Sequence, residues 1–166
     1  MGVDWGVRRI GLALSDPTLT LARPLDILVR KGADLALGPT DEEVFLKMAD
    51  LVRENEVVGL VFGVPFYHLS GDPNPRASLF LETGRLLGER LSLPVYLHDE
   101  GQTSARAREL LPKRKRPRGR KGFCDDLAAV LLLQGFLDER AAEAQKGFRA
   151  SGEGSAPFSE GRTQAL

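Results

Sequence analysis

The 166-residue sequence balances 23 Lys and Arg against 23 Asp and Glu and is 42% apolar, the composition of one globular domain with a packed core. No apolar run approaches the roughly 20 residues needed to cross a bilayer, and no basic start followed by an apolar stretch reads as a secretory signal, so a cytoplasmic protein without membrane contact is expected. The single cysteine, Cys124, excludes an internal disulfide and a multi-cysteine zinc site.

Arg9 to Ser15 alternates, with Ile10, Leu12 and Leu14 on one side, and predicts a half-buried strand. Asp16-Pro17 is a turn signal. Leu25, Ile27 and Val29 alternate again after Pro24, so the chain is expected to open as an antiparallel meander. Residues 31–39 read as a loop. Thr40-Asp41-Glu42-Glu43 has the form of a capping box, with Thr40 accepting from the Glu43 amide, and Val44, Met48, Leu51 and Val52 follow at helical spacing. The unbroken apolar run Val57 to Val64, closed by Pro65, predicts a strand buried on both faces.

After a loop with Gly71, Pro73 and Pro75, a second helix is expected from Arg76 to Leu91, with Leu79, Thr83, Leu86, Leu87 and Leu91 inward. Pro94 to His98 reads as a short strand and Thr103 to Leu111 as a helix stopped by Pro112. Residues 113–121 then hold Lys113, Arg114, Lys115, Arg116, Arg118, Arg120 and Lys121, seven basic residues in nine. Without those seven, 16 basic residues face 23 acidic ones, so a positive loop is set on an acidic body. Such a stretch suits a mobile, solvated loop and a polyanion contact equally well. Asp125 to Arg140 predicts a helix apolar nearly all round from Leu127 to Leu133, lying against the sheet. The chain then loses periodicity. Residues 1–146 are read as the domain and 147–166 as a disordered tail.

This order of elements predicts an α/β domain: a mixed five-stranded sheet, its first three strands antiparallel and the rest parallel, with helices on both faces. Acids fall at element ends. Asp4 closes the first strand, Asp99 and Glu100 follow the last, and Asp125 and Asp126 open the last long helix, where the helix dipole favours an ionised carboxylate. Ligands of open α/β sheets gather at the carboxyl ends of strands. Converging carboxylates there would suit Mg²⁺ or Mn²⁺, which prefer oxygen ligands and invert the local field toward a phosphodiester. Helix capping and strand termination account for the same residues without chemistry.

The surrounding residues discriminate between these readings. Asp4-Trp5-Gly6-Val7-Arg8-Arg9-Ile10-Gly11 resembles the Asp-x-Gly-x-Lys/Arg-Arg-Ile-Gly opening of the YqgF/RuvX family. Ser15-Asp16-Pro17, Pro24-Leu25, Gly63-Val64-Pro65 and Gly71 resemble its next motifs in order. Asp99-Glu100-Gly101-Gln102-Thr103-Ser104 resembles Asp-Glu-Arg-x-Thr/Ser-Thr/Ser, and Asp125 to Ala129 resembles the closing Asp-x-x-Ala-Ala helix. The resemblance runs from about residue 1 to 140. It implies a ribonuclease-H-like fold and a nuclease described either as a Holliday-junction resolvase or as the enzyme maturing the 5′ end of 16S ribosomal RNA.

On that resemblance Asp4, Glu100 and Asp125 are the expected catalytic and metal-binding residues. Arg8, Arg9, Thr103, Ser104 and the basic residues from Lys113 to Lys121 are the expected contacts to RNA or branched DNA. Trp5 and His98 are expected to be structural. Monomer and homodimer both stay open. Gly101 stands where the family has Arg, and only Met1, Gly2 and Val3 precede Asp4; these departures motivate an alternative, a non-catalytic RNA-binding factor assisting ribosomal RNA processing. An actin-like or sugar-kinase-like ATPase would need a second domain for which the chain has no room.

Overall fold

A computed structural model describes residues 1–31, 34–66, 74–99 and 123–152. In chain order these form β1 (Gly2–Trp5), β2 (Arg9–Ser15), β3 (Ala22–Val29), a 3-10 turn (Pro39–Asp41), α1 (Glu42–Glu54), β4 (Leu60–Val64), α2 (Ala77–Leu91), β5 (Val95–Asp99) and α3 (Phe123–Gly152). The five strands make one sheet in the order β3-β2-β1-β4-β5. β1 runs antiparallel to β2, and β2 to β3, whereas β1–β4 and β4–β5 are parallel. This is the mixed five-stranded sheet, antiparallel over its first three strands and then parallel, that the order of elements predicts.

Each face of the sheet is covered differently. Val3, Trp5, Ile10, Leu12, Phe62 and Val64 share one core with Val44 and Met48 of α1 and with Phe80 and Leu87 of α2. The opposite face packs Ala13 and Val61 against Ala129, Leu133 and Leu137 of α3. Among the described residues no helix is long and apolar enough to cross a membrane.

Several local expectations change. The first helix is not capped by Thr40, which is exposed. Asp41 stands at its N-cap without a side-chain cap bond, because the Asp41 carboxylate is taken by Arg30 at 2.8 and 2.9 Å and by the Gly38 amide at 3.0 Å. Val57 to Gly59 lead into β4 and do not belong to it; Val58 is 83% exposed.

On α2 the inward stripe is Phe80, Thr83, Gly84, Leu87 and Gly88, and Leu79 is exposed. The glycines let the helix settle onto the sheet: a Cβ on Gly84 would lie 3.3 Å from the Phe62 ring, and one on Gly88 2.6 Å from Val95 Cγ2. On β3 the buried residue is Leu28, while Val29 is 70% exposed. The register shifts between Leu12 and Ala13, which pair with Asp26 and Pro24, so Leu25 is an extra residue that breaks the alternation. The last helix continues to Gly152, six residues into the stretch read as a tail. The Ala-rich sequence after Arg140 favours propagation of a helix already nucleated by packing.

Candidate active site at the end of the first strand

Strand alternation decides where Asp4 points. Val3 and Trp5 enter the α1/α2 core, so Gly2 and Asp4 project to the face covered by α3. Gly2 sits directly beneath that helix: an added Cβ would be 2.8 Å from Leu133 Cβ and 3.1 Å from the Ala129 carbonyl oxygen. Asp4, half-buried, lies one step further toward the carboxyl end of the strand.

Its lateral neighbours are small. Asp4 pairs with Gly11 on β2, and Gly11 with Ile27 on β3. On the other side β1 pairs with β4 through Gly2↔Val61 and Val3↔Phe62; carried one step further, that register sets Asp4 level with Gly63, which pairs with His98 of β5. The row across the sheet is therefore Ile27, Gly11, Asp4, Gly63, His98. With buried glycines on both flanks, no neighbouring side chain in the row crowds the carboxylate.

Val95 and Leu97 join the α1/α2 core, so Asp99, next in that alternation, belongs to the face away from Asp4. His98 belongs to the Asp4 face. It is 6% exposed, meets Phe136 edge-on at 6.1 Å between centroids, and has Nδ1 3.6 Å from Glu139 Oε2. Burial pushes its pKa below the ordinary histidine value, opposed by the charges of Glu139 and Asp99. It is structural, as expected, though it closes the row that holds Asp4.

Arg9 continues the alternation of Gly11 and Ala13, which puts it on the Asp4 face one row further out, opposite Val29 and exposed. Arg8 is exposed in the β1–β2 turn, and its carbonyl accepts from the Arg30 amide at 2.9 Å. Gly6 serves that turn, its N–H donating to the Arg9 carbonyl at 2.9 Å. Trp5 is a packing residue: it is 2% exposed, tilted against Phe62, with Nε1 donating to the Leu35 carbonyl at 2.7 Å.

Asp125 lies in the first turn of α3, one turn before Ala129 on the helix repeat and so in line with the residue that touches Gly2. Its side chain, Glu100, Thr103, Ser104 and the basic residues Lys113 to Lys121 lie outside the described residues. Among the described residues no three His, Cys, Asp or Glu side chains group to hold a metal ion, and two of the three expected ligands are not among them. The donor chemistry fits a hard divalent cation: Asp4 is a carboxylate on an uncrowded row, and the other two candidates are also carboxylates.

Sequence reasoning missed one charged cluster beside this site, the buried pair of Arg30 and Asp41, 4% and 1% exposed. The two residues are eleven apart with no periodic relation, and Asp41 was absorbed into an apparent capping box. The only available signal was a lone arginine ending an apolar strand.

A model of the family described as RuvX, Holliday junction resolvase, matches residues 1–139. A protein of Roseiflexus sp. (strain RS-1) named "Putative pre-16S rRNA nuclease" is 34% identical over 141 residues, spanning 84% of this chain and 94% of the relative. A protein of the same name from Pelotomaculum thermopropionicum is 38% identical over 141 residues, spanning 84% and 86%. Among solved structures, T. thermophilus RuvC in complex with a Holliday junction substrate matches at 17% identity and a TM-score of 0.49, covering 88% of this chain and 94% of the other.

Proposed function

The chain belongs to the RuvX family, and from that premise we propose that it is a metal-dependent endonuclease hydrolysing phosphodiesters of structured nucleic acid, either maturing the 5′ end of pre-16S ribosomal RNA or cutting branched DNA of the Holliday-junction type. The observation that carries this reading is Asp4, placed at the end of a central strand between two glycines on the face covered by α3. A carboxylate half-buried beside the sheet's central glycines is unusual for a residue of its type.

In this reading Asp4, Glu100 and Asp125 hold Mg²⁺ or Mn²⁺. Asp125 belongs to the helix that packs on β1, and Glu100 follows directly on Asp99, the last residue of β5. When bound, the divalent metal would supply an activated water and charge stabilisation for the leaving oxygen. Arg9, on the same face one row out, pairs with a phosphate of the substrate backbone. Thr103 and Ser104 orient a second phosphate, and Lys113 to Lys121 attract the polyanion from solution and make binding salt-sensitive.

The test is a cleavage assay with Mn²⁺ or Mg²⁺ on branched DNA and precursor RNA, run beside Asp4→Asn. Wild type should cut at least one substrate only with metal, and the variant should bind but not cut. Cleavage by purified Asp4→Asn at close to the wild-type rate rejects the assignment of the site. Salt-sensitive binding by wild type with no cleavage of any substrate turns the reading into that of an RNA-binding factor.

A further inference from the structure

We propose that Arg30 is a positioning residue for the Asp4 carboxylate, a role that rests on the metal-site reading above. The need for it follows from the sheet. β1 has only four residues, and its ladder with β4 comprises Gly2 and Val3. At Asp4 and Trp5 the strand is held laterally by β2 alone, through Gly11 and Ile10. A strand end paired on one side gains precision from any further backbone restraint, and misplacement by about 1 Å at a reacting centre costs on the order of 100-fold in rate.

Arg30 supplies such a restraint. Its Nη1 donates to the Gly6 carbonyl at 3.1 Å, and its guanidinium lies over the Trp5 ring, 4.5 Å from the centroid. These are the two residues that follow Asp4. Its backbone amide donates to Arg8 at 2.9 Å, which fixes the far side of the same turn. The guanidinium is anchored in turn: Nε and Nη2 donate to the two Asp41 carboxylate oxygens at 2.9 and 2.8 Å, and Nη2 also reaches the Ala36 carbonyl at 2.9 Å. Trp5 is tied to the same loop through Leu35.

Stability alone gives little reason for this arrangement. A buried ion pair loses most of its Coulombic gain to desolvation, and well-packed apolar residues of similar volume often stabilise as much or more. What an apolar pair cannot do is hold the Gly6 carbonyl and lie flat on Trp5 at once. Lysine cannot reproduce it either, because it lacks the planar fork.

The experiment measures Mn²⁺ binding to the full chain by electron paramagnetic resonance, and kcat and KM for whichever nucleic acid the wild type cuts, well below Tm. The variants are Arg30→Lys, the double variant Arg30→Met/Asp41→Leu, which leaves no unpaired buried charge, and Arg90→Met as a control for losing a guanidinium stacked on a ring, that of Phe45, away from the site. Arg30→Lys and the double variant should bind Mn²⁺ about tenfold more weakly or worse and lose about 10–100-fold in kcat with KM unchanged. Arg90→Met should match wild type. A folded double variant with wild-type Mn²⁺ affinity and kcat overturns the proposal while leaving the metal site intact. Wild type that takes up no Mn²⁺ overturns the metal-site reading itself, and the role of Arg30 with it.

Discussion

On the face covered by α1 and α2, strands β1, β4 and β5 present Val3, Trp5, Leu60, Phe62, Val64, Val95 and Leu97; on the face covered by α3 the same strands present Gly2, Asp4, Val61, Gly63, Tyr96 and His98. The first set is bulky and apolar, and four of its members, Val3, Leu60, Phe62 and Val64, are fully excluded from solvent. The second is small near the middle of the sheet and polar toward the strand ends. Two consecutive residues of one strand thus serve opposite ends: Trp5 fills a core, and Asp4 is kept clear of one. Period-two alternation makes this division possible, since a strand can spend every other residue on stability and leave the rest for chemistry.

If that division is real, substitutions on the two faces should fail in different ways. Asp4→Asn should give the largest effect on function, a loss of cleavage of about 10²–10³-fold or more, comparable with removing a preorganised group at a reacting centre. Its Tm should stay within about 4 °C of wild type, as a change of ~1 kcal/mol would allow in a chain of this size. Phe62→Ala should do the reverse: it removes a fully buried ring packed so closely under α2 that a Cβ on Gly84 would lie 3.3 Å from it, and should cost about 3–5 kcal/mol in denaturant unfolding, with turnover per folded molecule near wild type. An equal loss of activity in both variants would break the comparison.

Gly2→Val sits between these extremes. A branched side chain there meets Leu133 Cβ and the Ala129 carbonyl, and backbone cannot move aside as a flexible side chain can. It should cost about 1–3 kcal/mol by overpacking. It should also weaken cleavage, because displacing α3 displaces the turn that carries Asp125. Loss of stability without loss of activity would mean that the helix can lift from the sheet without disturbing the site.

The same division explains what was legible beforehand. β2 was readable to the residue because one of its faces is apolar and the other small, which prints a two-residue period. β4 is buried on both faces, so its apolar run carries no period, and its start was placed at Val57, three residues before Leu60. The facing stripe of α2 was misread because Gly84 and Gly88 face the sheet through absent side chains, which an apolar count cannot register. β3 was misread at Val29 because the extra residue Leu25 switches which of the later positions face the core, and the apolar spacing alone does not reveal it. The place of Asp4 near the end of β1 was legible. Arg30 and Asp41 were not, because only the fold brings a strand end, a turn and a helix start to one point.

That cluster also yields the smallest effect expected, one confined to acid. The hydrogen bonds from Arg30 come first among the causes that hold the Asp41 carboxyl below the usual carboxylate range, with the Gly38 amide and the Arg30 charge adding to them against burial. A carboxyl depressed in the folded state binds its proton more readily in the unfolded chain. Its contribution to stability is therefore complete above the ordinary aspartate value of about 3.9 and is lost as pH falls toward the depressed folded value. Unfolding measured from pH 6 to pH 2 should show wild type losing stability on this limb, with no contribution from Asp41 above it. Arg30→Met/Asp41→Leu has no carboxyl at this position and should show a shallower limb in the same range, whatever its stability at pH 6. Parallel acid limbs in the two proteins would mean that the Arg30–Asp41 pair persists in the acid-unfolded chain, and the end of β1 would then be fixed by local structure that forms before the sheet.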